Sequence, residues 1–355
     1  MSLHAIDDIS DAIDATKSFL LPFAARTWLK LAVVVFFISG GGGGLNIPQN
    51  SGNFGGQDQP AGGGTEQFFE GVPSTLHGVV AEYGTELAII VGLALTLVLL
   101  FALLSNFMEF VFVESLIERE VHVRQYLVAN VGNSLRLFGF RLVVALVSLT
   151  LVVGFLYTIF LTVLGGSLNN IGPGALLGLF PVFIIFFLGI GLVQGLLTGF
   201  TNVFVVPMML TSSRGVLGSW KRLLGSMRRN IKQYLGYLAF SIVLGIGVGI
   251  VGGLLGLVAT LLLAIPFVLL GAAVFFGLGG GQVALALTAV VGVLFALFLL
   301  LATNLIQVPL QAFMRYYAML VLGDIDEELD PMPEVREDIR VDESAGNEPA
   351  ATDGV

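Results

Sequence analysis

Thr201-Asn202-Val203-Phe204-Val205-Val206-Pro207 recurs as Thr303-Asn304-Leu305-Ile306-Gln307-Val308-Pro309. Each heptapeptide closes a long apolar block, and a looser echo, Ser105-Asn106, ends an earlier one. The chain around them is 56% hydrophobic and 12% charged, with a mean hydropathy of +0.93. Soluble domains carry about 25% charged residues. Apolar runs of 18 or more residues recur, and in lipid such runs must be helices that satisfy their own backbone. The blocks are apolar on every face, which excludes the alternation of barrel strands. The expected fold is an all-α integral membrane protein with about six transmembrane helices, an internal repeat and cytoplasmic interfacial helices.

The spans follow from the blocks. An amphipathic N-terminal segment, 1–26, carries Ile6, Ile9, Ile13 and Leu20 at helical spacing and ends near Pro22. Its Asp7, Asp8, Asp11 and Asp14 are unlike the basic start of a signal peptide. The transmembrane domain is expected over 27–323. Its spans run from about Thr27 to Leu45, Leu87 to Val113, Leu142 to Leu164 and Ala175 to Leu210, then through 235–281 and 283–310. Lys30, inside the first span, would snorkel to the headgroups. Residues 46–86 hold no Lys or Arg and read as a Gly-rich external loop. Residues 235–281 are long enough for two spans with a turn at Gly252-Gly253. Repeat spacing favours one span plus a re-entrant or outer piece. Seven spans with an external tail is the alternative.

Charge sets the expected orientation. Basic connections at 114–141 and 212–233, like Lys17 and Arg26, belong in the cytoplasm. The tail, 324–355, holds twelve Asp/Glu against Arg336 and Arg340 and reads as an acidic, disordered cytoplasmic segment. Cysteine is absent, which excludes disulfides, thiolate nucleophiles and Cys-based metal sites.

The repeat units are expected over about 87–211 and 212–323. Asn106 to Asn202 is 96 residues and Asn202 to Asn304 is 102, so the three asparagines are expected at one depth. An Asn in lipid seeks another helix or a water pocket. Glu109 and Gln307 each follow their Asn by three residues on one helix face, and Gln194 lies two turns before Asn202. Asn106, Glu109, Gln194, Asn202, Asn304 and Gln307 are therefore the candidate polar pocket. The plainer reading of the asparagines is interhelical glue. Between spans, Val216, Trp220, Leu223, Met227, Ile231 and Tyr234 form one stripe of an amphipathic helix. Lys221, Arg222, Arg228 and Arg229 are its candidate contacts to anionic lipid. Gly245, Gly249 and Gly253, with Gly252 and Gly256 beside them, would admit a close helix partner.

No catalytic or phosphate-loop motif is present, and His4, His77 and His122 are far apart. Catalytic, cofactor and metal sites are therefore expected to be none. The expected partners are the bilayer, anionic lipid and other membrane proteins. Nucleic acid is not expected, because the large free segment is acidic.

The opening Asp11-Ala-Ile-Asp-Ala-Thr16, then Phe19-Leu20-Leu21-Pro22, Trp28-Leu29-Lys30-Leu31 and Phe36-Phe37 before Gly40 to Gly44, resembles an uncharacterised family of haloarchaeal multi-pass membrane proteins. The likeness covers nearly the whole chain. With only four lysines among sixteen basic residues, the composition also looks like that of proteins from salt-loving archaea. Val-Pro followed by Ser219-Trp-Lys-Arg-Leu223 is similar to the membrane domain attached to some glycerophosphodiester phosphodiesterases. No phosphodiesterase motif accompanies it, so no activity is implied. The expected role is a non-enzymatic membrane organiser or accessory subunit in the plasma membrane, with its N-terminus cytoplasmic. A transporter or lipid-handling protein using the polar pocket is the alternative.

Overall fold

Long apolar runs with few polar interruptions have one way to satisfy their backbone, and the computed structural model shows it: the described residues contain helices and turns and no strand. Described are residues 4–39, 65–162, 173–212 and 214–346, with side chains over 8–39, 83–162, 178–212 and 214–340. The helices are α1 (His4–Leu20), α2 (Ala25–Ser39), α3 (Thr65–Ile117), α4 (Val123–Ala129), α5 (Val131–Thr162) and α6 (Pro173–Phe200). A π-turn (Thr201–Val205) joins α6 to α7 (Val206–Thr211). Then come α8 (Val216–Arg229), α9 (Ile231–Gly277), α10 (Gln282–Ile325) and α11 (Pro333–Gly346).

Five stretches are long and apolar enough to cross a membrane: Tyr83–Ile117, Val131–Thr162, Gly178–Thr211, Ile231–Gly277 and Gln282–Ile325. The expected sixth is absent from this set. At fifteen residues, α2 covers about 22 Å, short of the ~30 Å hydrocarbon core, and residues 40–45 lie outside the described part. The Lys30 ammonium donates to Val121 O at 2.9 Å. The stretch 235–281 keeps the single span that repeat spacing favours, without a separate re-entrant or outer piece. There is no turn at Gly252-Gly253, only the unbroken 47-residue α9, continuous through Pro266. Its run is uninterrupted by turn-forming polar residues, and the chain reverses instead at Gly279 and Gly280, both at positive φ. Of the expected glycine stripe, Gly252 approaches α10 closely, where an added Cβ would meet Leu310 Cδ1 at 2.9 Å. Gly245, Gly253 and Gly256 face open space. The second half of the expected external loop is also helical, because α3 already starts at Thr65; non-helical dihedrals at Tyr83 mark a kink.

Each of the five long stretches has one end in a common packed head and the rest extending from it as an exposed apolar shaft. The head buries Phe110, Tyr126, Phe204, Leu223, Tyr316 and Tyr317. Shaft residues such as Ile185, Leu262 and Val283 are exposed. Two helices leaving the head share a construction: α4 meets α5 at Asn130, and α8 meets α9 at Asn230. The stripe Val216–Tyr234, expected to lie on lipid, mostly packs into the head. Val216, Leu223 and Tyr234 are buried there, whereas Ile231 is exposed. The N-terminal helix is likewise drawn in, with Ala12, Ala15 and Phe19 buried and Phe19 edge-on to Tyr316.

The acidic segment expected to be disordered is ordered across much of its length. Leu329, Met332, Val335 and Ile339 are buried, and α11 packs against α1. Arg336 pairs with Asp324 and Asp330, and Arg340 with Asp8, Asp11 and Asp324. Two arginines spaced one helical turn apart thus gather the carboxylates that composition alone would treat as self-repelling.

Candidate functional site

The polar cluster forms where α3, α5, the π-turn and α10 meet at the head. Its geometry starts with Pro207. In the π-turn the Val206 N–H reaches back to Thr201 O. The same spacing would aim residue 207 at Asn202 O, but proline has no N–H to donate. The orphaned carbonyl is taken by Arg315 Nη1. The other arm of Arg315, Nη2, forms an ion pair with Glu109, and both side chains are buried, at 6% and 2% exposure. Such a pair is costly to open, because either charge left alone in a low-dielectric site is uncompensated.

Arg141 completes the cluster. It donates Nη1 to Asn106 Oδ1 at 2.8 Å and Nη2 to Asn202 Oδ1, bridging the two asparagines. The charge of Glu109 attracts it and that of Arg315 repels it. Its Nε is buried without a partner. The Asn106 amide closes back on Ala102 O at 2.6 Å. Thr201 accepts from Trp220 Nε1 at 3.2 Å, tying α8 to the π-turn. In chemical terms the arrangement is two guanidinium forks, from α5 and α10, donating to carbonyl, amide and carboxylate oxygens of α3 and the π-turn.

Of the six residues expected to form the pocket, three meet here: Asn106, Glu109 and Asn202. The other three stay apart. Asn304 donates only to Leu300 O, one turn back, at 2.7 Å. Eleven residues, about 16 Å of helical rise, separate it from Arg315, the α10 residue that does reach the cluster. The common depth expected for three asparagines therefore holds for two. Gln194 and Gln307 are half-buried and join no hydrogen bond of the cluster. Arg141 and Arg315, which organise the site, are not among the expected pocket residues. The available signal was their position: each lies inside a helical run, flanked by apolar residues.

Among the expected lipid contacts, Arg222 pairs with Glu328 and Arg229 with Asp326, so both are engaged by the acidic segment. Lys221 and Arg228 are exposed. Around α11, burial and the adjacent charge of Asp324 raise the Asp8 carboxyl from its ordinary 3.8 to about 8, against the opposing pull of Arg340. Burial likewise raises Asp330, and hydrogen bonding to Asp324 raises Arg340. Burial and the bond to Glu118 raise Tyr126.

No curated protein and no solved structure matches the chain. A family model described as a family of unknown function, DUF7544, matches residues 3–332, and the chain belongs to that family.

Proposed function

We propose that the protein is a non-enzymatic membrane scaffold or accessory subunit of the plasma membrane, with its N-terminus, its head and α11 in or facing the cytoplasm. One observation carries the reading: the polar groups a transported solute would need are already engaged by the protein. Asn106, Asn202 and Glu109 accept from Arg141 and Arg315, and the arginines tie helices together. Transport through this point would require both guanidinium groups to be displaced. The orientation rests on the positive residues. The head-side connections carry Arg119, Arg124, Arg214 and Lys221, whereas the described far-side turn, Leu278–Gly281, carries no charge. The repeated Thr-Asn…Val-Pro pattern, with the matching joints at Asn130 and Asn230, supports an origin by duplication.

The cysteine-free chain permits a direct test of orientation by labelling introduced single cysteines with an impermeant thiol reagent. Leu278→Cys should react from outside intact cells, and Arg228→Cys only after permeabilisation. Reversed labelling would invert the topology. For role, the expected result is that Asn202→Leu lowers stability while the solute leak of reconstituted vesicles stays at the lipid-only level. A wild-type flux lost in Asn202→Leu would instead favour a transporter.

A further inference from the structure

Between α2 and α4, on the head side and away from the arginine cluster, lies an open groove of about 880 Å³. Val33 and Val34 of α2 form one wall, and Val123, Val128 and Ala129 of the α4 side form the other. The surface inside is almost wholly apolar, yet Lys30, Arg124 and His122 stand at its edge. Lys30 is held in place by its bond to Val121 O, which uses one of three ammonium protons. Arg124 is exposed and has no ion-pair partner among the described residues. His122 is the exception, lying 3.3 Å from Glu120. Arg26, one turn before Lys30 on α2, adds an exposed cation on the same side of the helix.

The surroundings identify the medium. Leu21 and Phe23, in the α1–α2 connection, are 59% and 64% exposed, and Val128 is 71% exposed. Phe23 leans on Trp28 with ring centroids 5.1 Å apart. Large apolar and aromatic side chains presented outward beside cations are the composition of a bilayer interface. A groove with an apolar floor and a cationic edge at that level is complementary to one amphiphile, with its chain inside and its negative charge outside.

We propose that this groove is a binding site for one membrane phospholipid of net negative headgroup. An acyl chain lies along Val33, Val123 and Val128, and the phosphate is held by Arg124 and Lys30. The site is separate from the α8 cations and does not depend on the scaffold reading. Its contacts also give it a structural consequence: the lipid would bridge α2 to α4, adding to the Lys30–Val121 bond, which ties α2 to the segment before α4, and to the packing of both helices on α3.

The test is lipid retention by the full-length chain, extracted gently and measured by native mass spectrometry after exchange into mixed phosphatidylglycerol and phosphatidylcholine. The wild type should retain phosphatidylglycerol in preference, by about tenfold. Arg124→Gln should lower that preference about fivefold, the weight of one well-placed cation. Val33→Trp should abolish retention by filling the groove. Val128→Trp fills it from the opposite wall and serves if Val33→Trp misfolds. Both positions are exposed, so the head core is untouched. Lys221→Gln and Arg228→Gln, on α8, should change nothing. Equal retention of the two lipids by the wild type would overturn the proposal. So would phosphatidylglycerol preference that survives Arg124→Gln and both tryptophans, or that disappears with the α8 substitutions alone.

Discussion

Thr201–Pro207 and Thr303–Pro309 share their Thr-Asn pair and their Val-Pro end, yet the protein uses them differently. In the first, the helix widens into a π-turn, Thr201, Phe204 and Val205 are buried, and Asn202 is met by arginine at both its side chain and its carbonyl. In the second, α10 continues through Pro309, and Thr303 and Asn304 bond back to Leu299 O and Leu300 O within their own helix. Proline removes a donor in both copies. What differs is the neighbourhood. Arg141, Arg315 and Trp220 converge on the first copy, with Tyr234 edge-on to Phe204 and Tyr237 tilted against it. The second copy has α9 alongside it and no guanidinium. The heptapeptide thus permits an opened carbonyl, and the tertiary partners decide whether it is used.

Removing the partner should have the largest effect. Arg315→Leu strands Glu109 and reopens Asn202 O. Loss of one member of a buried pair costs about 3–5 kcal/mol, so denaturant unfolding in detergent should show a large drop. Glu109→Leu added to Arg315→Leu should restore much of it; a double variant as weak as the sum of its parts would exclude a coupled pair. Asn202→Leu leaves Arg141 with one partner fewer and should cost about 1–3 kcal/mol in the same assay. Its counterpart Asn304→Leu should stay within about 0.5 kcal/mol, as expected of a surface change. Equal losses at the two positions would mean that the copies are equivalent after all.

Two further predictions concern the end of α10, which continues the second copy into the head. At Gly323 an added Cβ would lie 1.6 Å from Arg336 Nη2, so Gly323→Ala should release α11 and make it accessible to protease. Unchanged cleavage would refute that packing. The smallest effect concerns pH. Because the Asp8 carboxyl is raised to about 8, the folded protein holds its proton more tightly than the unfolded chain does. The stability it supplies is complete below pH 3.8 and is lost as pH rises through about 8. Docking of α11 on α1, where Asp8 and Asp11 face Arg340 and Asp324, should therefore loosen progressively as pH rises from 3.8 to about 8 and change little above that. Asp8→Asn should flatten that dependence, and an identical profile in the variant would contradict it.

Much of the architecture was legible because lipid-like composition leaves few choices. Four of the expected spans, near Leu87, Leu142, Ala175 and 283, coincide with shafts. The errors share a cause. Length and hydropathy do not say whether an apolar face meets lipid or protein, so α1 and α8 were read as surface helices though their apolar faces are largely covered. The charge of 324–355 suggests disorder when only its balance is counted; the positions of Arg336, against Asp324 and Asp330, and of Arg340, against Asp8, Asp11 and Asp324, hold the information. At the polar cluster the asparagines stood out as exceptions in apolar sequence. Arg141 falls in a basic connection, where its charge speaks only to orientation, and the depth of the third asparagine comes from counting residues, which cannot register a change in helix length such as the π-turn.

The most direct test is a pair of double-mutant cycles read by unfolding in detergent, one on Arg141→Leu with Asn202→Leu and the other on Arg141→Leu with Asn304→Leu. A coupling of about 1 kcal/mol or more in the first cycle and additivity within about 0.5 kcal/mol in the second is the predicted result. Additivity in both, or equal coupling in both, would contradict a lock built on the first copy alone.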